Sequence, residues 1–136
     1  MNSHAPFPGF RDAFGAAAGL SFFLSLLPVP GAALSPDQLA QLPPASNVRI
    51  DFARDIQPIF EASCVQCHAR GKNKGDFSLE TRDAFLEGEI ATAGKSAESQ
   101  VIEMIAGFDP DLIMPQKGKR LTAEQVGLFR AWIDQG

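Results

Sequence analysis

Cys64-Val65-Gln66-Cys67-His68 is the stretch on which the reading of this chain turns. Two thiols three positions apart on a helical turn, followed at once by an imidazole, have the C-x-x-C-H spacing of a c-type haem attachment site. In that arrangement each sulfur adds across a haem vinyl group, and His68 becomes the proximal axial ligand. Other uses of C-x-x-C fit less well. A structural zinc needs four ligands of this kind, whereas the chain holds two cysteines and, besides His68, the histidine His4. A thioredoxin-like redox site sits among alternating strands and helices, and no such alternation is visible. A C-x-x-C-H with nothing bound is the remaining alternative, and the leader upstream weighs against it.

That leader is read from Phe14 to Leu27, an uncharged run too short for a comfortable membrane span. Arg11 precedes it, with Asp12 offsetting the charge, and Pro28, Pro30 and the small residues Gly31-Ala32-Ala33 follow. This is the pattern of a secretory signal peptide over residues 1–33, cleaved after Ala33. An uncleaved membrane anchor over the same residues is the second reading. No cysteine lies there, which excludes a lipidated N-terminus. Export and haem attachment agree with each other, so the expected location is periplasmic, or membrane-tethered and facing the periplasm. The chain's 136 residues hold one domain. With both cysteines committed to thioethers there is no disulfide, and a globular part of about 85 residues buries a modest core. The cofactor must supply the missing stabilisation, and the apoprotein is expected to be largely unfolded.

Residues 34–49 (LSPDQLAQLPPASNVR), with Pro36, Pro43 and Pro44, read as an extended proline-rich linker, and residues 50–136 as the globular domain. Phe52, Ile56, Ile59 and Phe60 recur at helical spacing, which predicts a first helix from an Asp55 N-cap to Cys64 with Pro58 near its start. Residues 69–76 (ARGKNKGD) read as a loop, after which Phe77 and Leu79 turn inward. A short helix is expected at 83–87, ending at Gly88. Another follows Ser96 or Ser99, buries Val101, Ile102 and Ile105, and ends at Gly107. Pro110, Pro115 and Gly118 keep most of 108–120 irregular. The last helix opens on a capping box of Thr122 and Gln125, with Leu121 stapled to Val126 and Phe129, Trp132 and Ile133 on its inner face. The expected class is all-α, about four short helices wrapped around one covalent haem.

The open iron position takes a soft neutral ligand or a second imidazole in an electron carrier. No second histidine follows the leader, and Met1 leaves with it. Met114, in the proline-bounded sequence Ile113-Met114-Pro115, is the candidate distal ligand. Met104 falls inside an expected helix, where methionine is more often a core filler. Thioether ligation and an apolar pocket both favour ferrous iron. Phe60, Phe77, Phe85, Phe108 and Phe129 are the expected wall, which in so small a domain is also the core. Arg70, Lys72 and Lys74 follow one ligand, and Lys117, Lys119 and Arg120 follow the other. Either these six ring the haem edge and steer an acidic redox partner, or they are ordinary solvated loop charges. With a net charge of −4 and no basic domain, nucleic acid is not an expected partner.

These residues resemble the class I cytochrome c family, and more narrowly the planctomycete-type cytochrome c domain. The resemblance is carried by Asp55-Ile56-Gln57-Pro58-Ile59-Phe60 leading into Cys64–His68, by Met114-Pro115-Gln116-Lys117-Gly118, and by Leu121-Thr122 through Ala131-Trp132-Ile133-Asp134-Gln135-Gly136. It implies that Cys64 and Cys67 carry haem c, that His68 and Met114 are the axial ligands, and that the first and last helices cross near Phe60 and Trp132. Gln116 departs from the pattern, since such domains often have a second proline there. The chain also stops where proteins with this domain commonly continue, so a short free cytochrome and a piece of a larger exported protein are both open. The expected function is single-haem electron transfer with no chemistry on a substrate. The alternatives are an electron-accepting haem module of an exported oxidoreductase, a peroxidase-like site, and a gas-binding haem sensor. The absence of a distal histidine, or of an arginine beside Met114, argues against peroxidase chemistry.

Overall fold

The computed structural model of the chain describes residues 34–72 and 74–136. The expected leader, its cleavage point, His4 and Met1 lie outside the described residues. Two reciprocal caps bracket what is described. Gln38 N–H donates to Ser35 Oγ at 3.2 Å and Ser35 N–H to Gln38 Oε1 at 2.8 Å, which starts α1 (Pro36–Gln41). Thr122 and Gln125 make the same exchange at 3.2 and 2.9 Å and start the last helix, α6 (Ala123–Asp134). Each box satisfies two N–H groups that the first helical turn would otherwise leave unpaired.

Between them run α2 (Gln57–Ser63), α3 (Val65–His68), α4 (Arg82–Glu87) and α5 (Gln100–Ala106), with short 3₁₀ turns at Lys74–Asp76 and Ser96–Glu98. The described residues are all-α as expected, with six helices and no strand. The helices beyond the expected four are α1 and the one-turn α3.

The first helix begins earlier than Asp55. Asp51 Oδ1 accepts the Arg54 N–H at 2.9 Å, and a wide π-helical turn over Phe52–Ile56 leads into α2. Pro58 explains the widening. Its ring crowds the carbonyl four residues back and it offers no N–H, and just before it the ladder has slipped by one residue, Gln57 N–H donating to Phe52 O. Asp55 closes the cap, accepting the Asp51 N–H at 2.9 Å and both Nε and Nη2 of Arg54 at 2.7 Å.

The core gathers Ile56, Ile102 and Phe129, all but fully buried, with Phe60, Phe85, Ile105, Val126 and Ile133 around them. Phe60 is the hub of the rings. Its centroid lies 5.1 Å from Phe129, 5.8 Å from Phe85 and 6.0 Å from Trp132, each edge to face. The last pair brings the first and last helices together where the resemblance implies. Such pairs contribute about 1 kcal/mol each beyond the area they bury.

Residues 34–49 are not an extended linker. Besides forming α1, they bury Leu34 and Leu42 in the core, and Ser46 N–H donates to Gly127 O at 3.0 Å. Arg130 donates to the Pro43 carbonyl. Gly127 makes this docking possible, because a Cβ there would stand 2.6 Å from the Pro44 carbonyl oxygen. Gln135 fastens the same region to the end of α6, accepting the Ile50 N–H and donating to Val48 O, both at 2.9 Å.

Candidate functional site

The site is built where α2 gives way to α3. Cys64 N–H donates to Phe60 O at 2.8 Å and ends one helix, while the Cys64 carbonyl accepts the N–H groups of both Cys67 and His68 at 3.1 Å and starts the next. One carbonyl therefore ties both cysteines and the histidine into a single turn, as the C-x-x-C-H spacing requires. Cys64 is half-buried against the core and Cys67 is exposed, and both are free thiols. Burial pushes the Cys64 thiol up to about 11, with the nearby Cys67 adding to the effect, so it stays uncharged at neutral pH.

His68 is held from two directions. Its carbonyl accepts the Leu79 N–H at 2.7 Å, and its ring packs edge to face on Phe77 at 5.2 Å. Phe77 in turn lies against Phe85 at 5.6 Å, which joins the imidazole to the aromatic core. Gly88 admits Phe77 to this position, since a Cβ at Gly88 would meet the ring edge at 2.7 Å. This glycine, expected as a helix stop, has ordinary right-handed angles and is needed for close approach. The imidazole Nδ1 is buried and has no hydrogen-bond partner. Buried polar atoms are nearly always paired, and this nitrogen is an exception to that rule.

The loop after His68 folds back over the motif. Gly71 N–H donates to Glu80 Oε1 at 2.9 Å and Lys72 Nζ to the Gln66 carbonyl at 3.3 Å. Beside it opens a cavity of about 550 Å³ walled by Phe52, Phe60, Phe85 and Trp132, with Val65 and Leu79 on its motif side and Glu61 and Glu80 among its polar lining. Its size is that of a small-molecule or cofactor site. Neither cysteine, nor His68, nor Met114 lines it. It adjoins the motif through Val65 and through Leu79, the residue bonded to the His68 carbonyl.

Met114 reaches the same core by a separate route. It is half-buried, and its N–H donates to the Met104 carbonyl at 2.9 Å, so the loop rests on α5. Met104 itself is half-buried within α5. Arg120 donates to the Pro115 carbonyl at 2.8 Å. All six basic residues are exposed, and of them Lys72 and Arg120 are engaged with backbone carbonyls. Among the expected wall residues, Phe60, Phe77, Phe85 and Phe129 form one ring cluster and Phe108 packs beside the core.

Sequence reasoning missed Phe52 and Trp132 as cavity walls, the clamp made by Arg120, and the close-approach roles of Gly88 and Gly127. A glycine inside the α6 pattern was the one available signal, for Gly127. The residues present fit a covalent haem: a two-thiol turn, an imidazole nitrogen left without a partner, a half-buried thioether and an aromatic cavity alongside. Among the described residues no group of three or more His, Cys, Asp or Glu side chains could hold a bare metal ion. None of the described helices is long and apolar enough to cross a membrane.

Comparison with known proteins bears on the same residues. No curated protein and no solved structure matches the chain. Residues 64–118 match the family model of planctomycete cytochrome C. Such a domain implies haem c and haem-based electron transfer, typically as an electron carrier, and cytochrome c domains are commonly exported. The match opens on Cys64 and runs through the Met114 loop, and it supports a planctomycete-type cytochrome c domain over those residues.

Proposed function

We propose that the chain is a single-haem c-type cytochrome that carries electrons, with Cys64 and Cys67 bound to the haem as thioethers and His68 and Met114 as axial ligands. When bound, the haem supplies an iron that alternates between the ferric and ferrous states. The protein's part is to hold and shield it. Cys64 and Cys67 fix the cofactor to the α2–α3 junction, His68 is set in place by Leu79 and Phe77, and Met114 is presented by a loop tied to α5. The observation that carries this reading is the single turn on which the Cys64 carbonyl ties together two free thiols and His68.

The aromatic surroundings keep water away and favour the less charged ferrous state, and a thioether ligand acts in the same direction. Redox proteins with an acidic docking face are the proposed partners, met by the exposed Arg70, Lys74, Lys117 and Lys119. Nucleic acid is not a partner. The place of action is the periplasm, reached by export or kept by a tether through the N-terminal segment.

The test is the absorption spectrum of the exported protein, oxidised and reduced, for the wild type and Met114→Ala. A far-red ferric band of methionine sulfur on haem iron, present in the wild type and absent from the variant, is the expected result. If the band is missing from the wild type or survives the substitution, Met114 is not the ligand. The gas-binding and catalytic readings then take precedence. A protein without any haem spectrum overturns the assignment entirely.

A further inference from the structure

Two hydrogen bonds hold the Met114 loop, one to α5 and one across the loop itself. On one side the Met114 N–H donates to Met104 O at 2.9 Å, and on the other the Arg120 guanidinium donates to Pro115 O at 2.8 Å. Between them residues 116–119 are exposed, and Gly118 stands at φ +92° with nothing within 4 Å of where a Cβ would be. A stretch with so little packing of its own opens at low free energy, so the two tethers govern how far it moves. The first is main chain to main chain. The second depends on one side chain.

From this geometry we infer that Arg120 is a positioning residue for the axial methionine. By closing a ring from 115 to 120, its guanidinium limits the shapes the loop can take and would restrain Met114 from giving way to an outside ligand. This rests on the reading of Met114 as axial ligand given above. The bond is charge-assisted, and Arg120's exposure discounts it to a modest value. The alternative role for Arg120, as one more docking charge, makes a different prediction. A docking charge acts through its sign, whereas the clamp needs a donor at the Pro115 carbonyl.

Carbon monoxide uptake by the reduced, haem-loaded protein separates these roles, because the gas binds only molecules whose methionine has left and its rate follows their population. Arg120→Ala is expected to bind carbon monoxide about fivefold faster than the wild type, the equivalent of losing one exposed charge-assisted hydrogen bond. Arg120→Lys, which keeps a charged donor, recovers part of the difference and remains informative if the alanine variant loads haem poorly. Lys119→Ala removes a neighbouring charge without touching the clamp and leaves the rate unchanged. Equal rates for wild type and Arg120→Ala, with Met114→Ala fast, overturn the inference while sparing the ligand assignment. Equal acceleration by Arg120→Ala and Lys119→Ala also overturns it, since charge alone then accounts for the effect. If the wild type is as fast as Met114→Ala, the ligand reading has failed and the inference falls with it.

Discussion

Gly127→Ala sets two effects of opposite sign against each other. In a helix interior alanine is favoured over glycine by about 1 kcal/mol, so helix propensity alone says that the variant is more stable. The fold says otherwise. The new Cβ would stand 2.6 Å from the Pro44 carbonyl oxygen, against the 3.4 Å at which ordinary contact begins, and the atom it meets is backbone. The 43–46 segment must withdraw by roughly the difference, which pulls on the Ser46–Gly127 and Arg130–Pro43 hydrogen bonds and begins to expose Leu42. Two hydrogen bonds at about 1 kcal/mol each, with part of the roughly 2 kcal/mol of a buried leucine, outweigh the gain in propensity. The net expectation is a loss of about 2 kcal/mol, or about 10 °C in Tm for a domain of this size.

Thermal unfolding of the haem-loaded protein, followed by far-UV circular dichroism, measures it. The same substitution in a chain beginning at residue 49 lacks the clash and is expected to stabilise. A rise in Tm for Gly127→Ala in the full chain would refute the docking of residues 42–46 on α6.

Three further outcomes are expected. The Arg54 guanidinium and the Asp51 N–H hold the Asp55 carboxyl down at about 2 from its ordinary 3.8, so its contribution to stability is present above pH 4 and fades as pH falls toward 2; denaturation midpoints for wild type and Asp55→Asn should converge over that window, and parallel curves would exclude the linkage. Thr122→Ala removes one half of the α6 capping box and should cost about 1 kcal/mol, read as a drop in Tm of roughly 4–8 °C. Cys64→Ala/Cys67→Ala, unable to form thioethers, should lack a covalent haem and most of its helical dichroism, and a cooperative melt in this variant would show that the polypeptide folds unaided.

What was legible in the sequence was what depends on neighbours within a turn. Thr122 and Gln125 sit three apart, so their mutual caps follow from spacing, as does the C-x-x-C-H turn closed by the Cys64 carbonyl. Gly107 was read as a helix end and takes the left-handed φ of +77° that such an end demands. Residues 34–49 failed for an instructive reason. Ser35 and Gln38 offer the same box, with Pro36 at the favoured first position, but the proline content of the whole segment outweighed that local signal. Its docking then depends on Gly127, far along the chain. The π-helical turn escaped because Pro58 was judged by its own missing N–H and not by its effect on the turn before it. The cavity walls Phe52 and Trp132 come from opposite ends of the domain, and no local pattern pairs them. Arg120 was grouped with solvated or docking charges because a sequence does not show which carbonyl a long side chain reaches.

The two bonds made by Gln135 have a topological consequence. One side chain keeps positions 48–50 and 135 within hydrogen-bonding reach of each other, so polypeptide attached at either side would depart from nearly the same point on the surface. Edges that lie this close tolerate insertion into a host loop or a circular rearrangement of the chain. A permutant that joins 135 to 48 through a few flexible residues has little distance to span but gives up residues 34–47, so its stability beside the full domain would measure what the docking of Leu34 and Leu42 contributes.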